Sequence, residues 1–353
     1  MKAWENNIRK VVPYTPGEQP NQPDMIKLNT NENPYPPSPG VSRILNTMNT
    51  DVLRLYPDPT CKDFIKAIAE VYGLKEEQIF VGVGSDDVLA MCFMTFFNSK
   101  KPILFPDITY SFYDMWAELF RIPYERPMLD EHFHIRKEDY FKENGGIVIA
   151  NPNAPTGVEM APTELEEIIA GNPESIVIID EAYVDFGGKS ALPLIEKYDN
   201  VIVVQTFSKS RSMAGMRIGM AFGNPQLIKY LNDVKYSFNS YTMDRTALLA
   251  GVEAIKDVEY FKETCDKIIT TREWTKQELK ALGFAFEDSK TNFIFAEHKE
   301  VPAETLFQAL REKHIYVRYF PKGRTHNHLR ITIGTQKEME TLIDFLKEYL
   351  AKC

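Results

Sequence analysis

Residues 201–219 read VIVVQTFSKSRSMAGMRIG. Four successive β-branched apolar residues, 201–204, predict a central strand of a parallel sheet, buried on both faces. The residues after it emerge at the carboxyl end of that strand, where open α/β sheets bind ligands. There the chain places Thr206, Ser208 and Lys209, with Arg217 eight residues past the lysine. Hydroxyls and a guanidinium hold an anion, and a lysine amine can join an aldehyde as an imine. The guest that suits this set is an anionic, aldehyde-bearing cofactor. Taken alone, the stretch reads equally as a solvated loop lysine and a surface arginine.

The preceding sequence repeats the same pattern. A strand at 79–81 runs into Gly82-Val83-Gly84-Ser85-Asp86 and then an apolar helical stretch. A glycine-rich turn entering a helix presents free N–H groups and the positive dipole end to a phosphate. Strands at 102–105, 146–150 and 176–179 end in Tyr110, in NPNAPTG at 151–157, and in Asp180-Glu181-Ala182-Tyr183. Helical patterns at 41–48 and 61–72 precede the first of these strands, and one at 163–169 lies between the last two. Serial βα units imply a mostly parallel sheet covered by helices. Ser85, Tyr110, Asn153, Asp180 and Lys209 then share one sheet edge, which describes a site.

From about residue 233 long amphipathic stretches take over, notably 258–282. Short strands at 292–296, 316–318 and 329–333, with helices at 303–313 and 337–350, predict a smaller α+β lobe. The first forty residues are rich in proline and asparagine, in PYTPGEQP at 13–20 and LNTNENPYPPSP at 28–39. Proline excludes a continuous helix there. Tyr14, Leu28 and Tyr35 are spaced as anchors, so the segment reads as an ordered arm. The division expected is an arm over 1–37, a large domain over 38–240 and a small domain over 241–353.

The chain has 353 residues and a net charge of −9, with 44% hydrophobic and 26% charged residues. That is an ordinary globular composition. The negative balance argues against a broad nucleic-acid or acidic-membrane surface. Cys61, Cys92, Cys265 and Cys353 are widely spaced, as in a reducing compartment without a disulfide framework. The first residues lack the apolar core of a signal peptide. A cytoplasmic location is expected. The pairs His132/His134 and His326/His328 have no third ligand converging in sequence, so no metal site is expected.

Together DEAY at 180–183, TFSK at 206–209 with Arg217, NPNAPTG, Tyr110, RLYPDP at 54–59 and LRITIGT at 329–335 carry a resemblance. They resemble fold-type I pyridoxal-phosphate aminotransferases. The arm motifs and the length are similar to the histidinol-phosphate branch of that family. The resemblance implies pyridoxal 5'-phosphate as cofactor. Lys209 would join it as an imine and then carry the 1,3-proton shift. Asp180 would pair with the ring nitrogen, Tyr183 with the ring's phenolate oxygen, and Tyr110 would stack on the ring. Gly84, Ser85, Asp86, Thr206, Ser208 and Arg217 would hold the phosphate.

The resemblance also implies a homodimer in which Tyr56 reaches the neighbouring subunit's phosphate. Arg330 and Arg318 would grip the substrate's anionic end, with Tyr14, Glu32 and Asn33 closing over it. The chain departs from the family where an asparagine usually contacts the phenolate oxygen, because Ala154 stands there. Either Asn153, one residue earlier, substitutes for it or Tyr183 carries the contact alone. The glycine-rich loop, commonly GNGSDE, reads GVGSDD. The implied reaction is transamination between histidinol phosphate and 2-oxoglutarate. An aromatic-amino-acid aminotransferase, a threonine-phosphate decarboxylase and a non-catalytic cofactor-binding regulator are the alternatives.

Overall fold

The strand Val201–Thr206 is buried at every residue. Successive side chains alternate across a sheet. Val201 and Val203 therefore join Ile147, Ile149, Val177 and Ile179 on one face, while Ile202 and Val204 meet Phe80, Val148 and Ile178 on the other. Each such side chain contributes about 1.5–3 kcal/mol when removed from water, and apolar cover on both faces commits the strand to the sheet interior. The structure, a computed structural model, describes residues 2–14 and 17–352. Met1, Thr15, Pro16 and Cys353 lie outside the described residues.

Seven strands form the large sheet, in the order Ile79–Gly82, Gly219–Gly223, Val201–Thr206, Val177–Asp180, Ile147–Ala150, Ile103–Leu104 and Tyr124–Glu125. All run parallel except Gly219–Gly223, which is antiparallel to both neighbours. The apolar pattern does not predict this strand, because three of its five residues are glycine or methionine rather than β-branched. Gly219 is required by close approach: a Cβ there would lie 2.3 Å from the Gly84 carbonyl carbon. The strand thus wedges against the turn entering the helix Gly84–Phe96. In register, Ala150 lies beside Asp180 and Asp180 beside Val204, so the carboxyl ends of two strands finish level and Val201–Thr206 runs two residues further.

Helices cover both faces. Pro39–Thr47, Lys62–Tyr72, Pro162–Gly171 and Arg245–Lys256 pack one side, and Gly84–Phe96, Phe112–Phe120 and Pro225–Phe238 the other. Ala247, Ala250, Ala254 and Ile255 belong to the core of the large sheet. The boundary expected at residue 240 is therefore misplaced. The helix Arg245–Lys256 belongs with the large lobe, and the 24-residue helix Val258–Ala281 leads on to the small one.

The small lobe has a five-stranded sheet in the order Ile26–Leu28, Ile315–Tyr319, Leu329–Thr332, Phe293–His298 and Phe284–Ala285. Its core includes Ile268, Ile294, Leu306, Ile331 and Leu342. The arm supplies an edge strand, Ile26–Leu28, parallel to Ile315–Tyr319. Elsewhere the arm touches the large lobe, where Arg9 donates to the Leu119 carbonyl. The remainder is tied to the small lobe by Arg311–Glu18 and by Tyr316 to Gln22. The strands and helices after residue 281 match the α+β pattern read from the sequence, and the fold as a whole is α/β with a smaller α+β lobe.

Candidate active site

A cavity opens at these strand ends. Asp180, Ala182 and Tyr183 line it from the end of Val177–Asp180, and Thr206, Ser208 and Lys209 from the end of Val201–Thr206. Ser85 and Asp86 enter from the first turn of Gly84–Phe96, Tyr110 from the loop before Phe112–Phe120, and Arg217 from the turn before Gly219–Gly223. Ala150, Pro152 and Ala154 complete the apolar part of the wall.

Asp180 is 4% exposed. Its Oδ2 accepts a 2.7 Å hydrogen bond from the Tyr113 hydroxyl, and its Oδ1 accepts the Ala182 N–H at 3.2 Å. Burial pushes its carboxyl up to about 6, against those two donors, with the Asp86 charge adding to the rise. A buried carboxylate raised this far and facing a cavity is suited to a cationic partner, which would restore the ionised form. Tyr113 is fully buried and is not among the residues the sequence singles out. The signal available was its spacing of three from Tyr110 at a helix start.

Lys209 Nζ donates to the Thr30 carbonyl at 3.1 Å and lies 5.9 Å from the centre of the Tyr183 ring. The Tyr183 oxygen accepts the Asn31 amide N–H at 2.8 Å, which leaves its own hydrogen free to donate. Asn31 is buried and left-handed (φ 55°), and its Oδ1 accepts the Thr332 hydroxyl. One arm residue therefore links the DEAY turn to the small lobe, where the sequence pointed to its neighbours instead. The Asn33 amide donates to the Lys209 and Ser210 carbonyls at 3.0 and 3.3 Å, so it braces the lysine's backbone rather than the cavity. Glu32 pairs with Lys27 and accepts the Thr30 hydroxyl. Burial works to raise the Glu32 carboxyl, but the bonds from Lys27 and Thr30 and the charges of Lys27 and Lys209 outweigh it and lower it. Glu32 and Asn33, like Tyr14, Arg318 and Arg330, lie outside the lining of this cavity.

At the opposite end, Arg217 Nη1 donates to Ser208 Oγ at 3.4 Å and Nη2 pairs with Asp86 Oδ2 at 3.2 Å. Asp86 Oδ1 accepts the Tyr110 hydroxyl at 2.7 Å. Gly84 has φ +84°, and a Cβ there would meet Arg217 Nη2 at 2.5 Å. Glycine thus lets the guanidinium lie against the helix start, where first-turn N–H groups have no intrahelical partners. Asp87 Oδ2 reaches back to the Val83 N–H and caps the turn. Thr206 Oγ1 donates to the Ile218 carbonyl and accepts the Ser208 N–H. Amides, hydroxyl and guanidinium around one point form a donor set for a phosphate.

Asn153 does not join this wall. Its amide donates to the Ile108 carbonyl and Thr156 Oγ1, and its oxygen accepts the Thr109 hydroxyl. The side chain is fully used inside the 151–157 turn, whose Asn151–Pro152 and Ala154–Pro155 bonds are both cis. Ala154 faces the cavity instead. Of the two groups the sequence offers in place of the missing asparagine, Tyr183 lines the cavity and Asn153 does not.

Arg318 and Arg330 face each other directly across adjacent antiparallel strands, so both side chains leave the same face of the sheet. Like charges so placed repel. Neither makes an ion pair among the described residues. Desolvation lowers the Arg330 pKa, its Nε is buried without a hydrogen-bond partner, and its Nη2 donates to the Asn29 carbonyl at 3.1 Å. Two guanidiniums and an orphan donor suit an anion of high charge. Tyr14 packs on Phe112 at 4.7 Å, and Phe112 on Tyr110 at 5.3 Å. Tyr56 is 78% exposed, packs on Tyr241, and lies outside the cavity of its own chain. His132 pairs with Glu287, and His328 stacks on Phe295. Among the described residues no cluster of three metal-ligating side chains occurs, and no helix is long and apolar enough to cross a membrane.

The family model for aminotransferase class I and II matches residues 23–346. Histidinol-phosphate aminotransferase of Lactococcus lactis subsp. cremoris (strain MG1363) is 55% identical, with 99% of this chain and 98% of that protein covered. The enzyme of the same name from Brachyspira hyodysenteriae is 53% identical over the whole of both chains. Among solved structures, histidinol-phosphate aminotransferase from Clostridium acetobutylicum shares the fold with a TM-score of 0.86 at 22% identity, covering 93% of this chain and 100% of that one. The Sinorhizobium meliloti enzyme, solved with pyridoxal-5'-phosphate, gives 0.83 at 22% identity, covering 93% and 91%. With a matching model over most of its length and relatives above half identity, the chain belongs to the class I and II aminotransferase family.

Proposed function

We propose that the cavity holds pyridoxal 5'-phosphate and that the protein moves the amino group of histidinol phosphate to 2-oxoglutarate, a step of histidine biosynthesis. The observation that carries the cofactor is the donor set itself. A phosphate cradle, an amine and a buried carboxylate all line one cavity, and they match the phosphate, aldehyde and ring nitrogen of such a molecule. The observation that supports the substrate is the facing pair Arg318 and Arg330, which suits a phosphate and equally a dicarboxylic oxo acid. More than half identity to histidinol-phosphate aminotransferases over nearly the full chain supports the same reading.

When bound, the cofactor supplies the aldehyde for amine exchange and a ring that makes the substrate's Cα–H acidic. The chain's residues do the rest. Arg217, Ser208 and the amides after Gly84 bind the phosphate. Asp180 would hold a proton at the ring nitrogen, and Tyr183, its oxygen already receiving Asn31, would donate to the ring oxygen. Lys209 Nζ would take a proton from the substrate's Cα and, as a general acid, deliver it to the carbon that the cofactor brought as its aldehyde. Tyr110 packs against the ring, and Arg318 with Arg330 orients the anionic end.

The assembly that fits is a homodimer. Leu53, Leu55, Tyr56, Phe238 and Tyr241 are exposed, and Tyr56 stands clear of its own cavity, free to reach the partner's phosphate. Accumulation of glutamate from histidinol phosphate and 2-oxoglutarate, measured with the purified protein and added cofactor, tests the proposal. Turnover of an aromatic amino acid in place of histidinol phosphate, or carbon dioxide released from phosphothreonine, would overturn the substrate.

A further inference from the structure

Tyr113 touches neither the cavity nor any surface, yet its hydroxyl ends on the carboxylate at the cavity's centre. Its ring is held on all sides: by Phe105 at 5.8 Å, Phe93 at 6.2 Å, Trp116 at 6.3 Å and Tyr110 at 5.7 Å. Its N–H bonds the Tyr110 carbonyl at 3.1 Å, so the first turn of the helix Phe112–Phe120 sets both tyrosines together. A ring so confined has one place for its hydroxyl, and that place is 2.7 Å from Asp180 Oδ2. Resting on the reading of the cavity as a pyridoxal-phosphate site, we propose that Tyr113 is a positioning residue for the reaction. Its donated hydrogen bond fixes the rotation of the Asp180 carboxylate and keeps the shared proton on the cofactor's ring nitrogen rather than on Asp180.

The reasoning is electrostatic. A carboxylate that accepts a hydrogen bond is a weaker base, and in a dry site that bond is stronger than in water. The ring nitrogen and Asp180 compete for one proton. Asp180 otherwise receives only the Ala182 N–H, so removing the Tyr113 donor leaves one oxygen unsatisfied and a stronger base. The proton then moves toward Asp180, and the ring withdraws electrons less well. The other groups around Asp180 do not substitute for this donor. Asp86, from Gly84–Phe96, raises its basicity. Tyr110 gives its hydroxyl to Asp86, Tyr183, just past Asp180's own strand, is bonded to Asn31, and Lys209, past the neighbouring strand, to the Thr30 carbonyl.

The test loads the full-length wild type, Tyr113→Phe and Phe105→Leu with pyridoxal phosphate carrying ¹⁵N in its ring, and reads the ring-nitrogen chemical shift. Tyr113→Phe keeps the packing and removes the donor. Phe105→Leu loosens the packing and keeps the donor. The expected result is a shift toward the unprotonated position in Tyr113→Phe alone. Its kcat should fall about tenfold, the kinetic size of one hydrogen bond to a charged group, while KM stays within about twofold because substrate binding is untouched. An unchanged nitrogen shift in Tyr113→Phe, or an equal shift in Phe105→Leu, overturns the proposal. Failure of the wild type to bind the labelled cofactor overturns the site reading itself, which separates the two.

Discussion

Asp180 carries a cost that depends on pH. Its carboxyl is at about 6 in the folded chain against 3.8 for a free side chain, chiefly through burial. A carboxyl raised on folding costs nothing below its unfolded value, and the cost grows as pH climbs through 3.8 toward 6, where it is complete. A cation held against the carboxylate removes that cost. The rise in Tm on adding pyridoxal phosphate should therefore increase between about pH 4 and pH 6, and Asp180→Asn should lose the part of that slope due to this residue. Parallel slopes in the two proteins, measured by scanning calorimetry, would mean that no cation meets Asp180. At this scale the sequence exposed residue types and hid directions. Lys209, Asp180 and Arg217 were legible because each follows a strand or turn whose place in the sheet the apolar pattern dictates. The choice between Asn153 and Tyr183 stayed open because the facing of a side chain within a proline-bounded turn depends on backbone angles that composition does not encode. Asn31 was missed beside Glu32 and Asn33 for the same reason.

The helix Gly84–Phe96 shows what a single element contributes. Its amino end offers unpaired N–H groups and positive potential, yet its own third residue, Asp86, lays a carboxylate on Arg217. A phosphate arriving there must compete with that carboxylate for the guanidinium. Asp86→Asn keeps an acceptor for the Tyr110 hydroxyl and removes the charge. It should tighten binding of pyridoxal phosphate to the cofactor-free protein by up to about fivefold, the scale of a half-exposed ion pair. Titration calorimetry showing weaker binding would mean that Asp86 assists the phosphate rather than opposing it. Elements were legible where burial is two-sided. The strands Val177–Asp180 and Val201–Thr206 are continuous buried runs, and the helices around them follow a 3.6-residue pattern. The strand Gly219–Gly223 escaped notice because glycine has little β-propensity, and its place is set by the Gly84 backbone pressing on it. The edge strand Ile26–Leu28 escaped because its partner lies almost the whole chain away.

Across the whole molecule, the arm and the two lobes meet at the cavity. Asn31 bonds Tyr183 and Thr332, so cofactor contact and small-lobe position are coupled through one buried amide. The lobe boundary was misread because the helix Arg245–Lys256 resembles its amphipathic successors in sequence, and only packing assigns it to the large lobe. A homodimer with Tyr56 acting across the interface makes a further demand. Mixing inactive Lys209→Ala with impaired Tyr56→Ala should restore about a quarter of the wild-type sites, since half the dimers are mixed and each then has one intact site. No recovery after subunit exchange would place Tyr56 in its own chain's function or in none. The central claim is that Lys209 and its neighbours form a transaminating site for histidinol phosphate. The most direct measurement is the visible absorbance of the cofactor-loaded protein before and after histidinol phosphate is added without any oxo acid. A lysine-dependent band, absent in Lys209→Ala, should appear, be bleached by histidinol phosphate and be restored by 2-oxoglutarate. A band that histidinol phosphate leaves unchanged, or one that persists in Lys209→Ala, would contradict it.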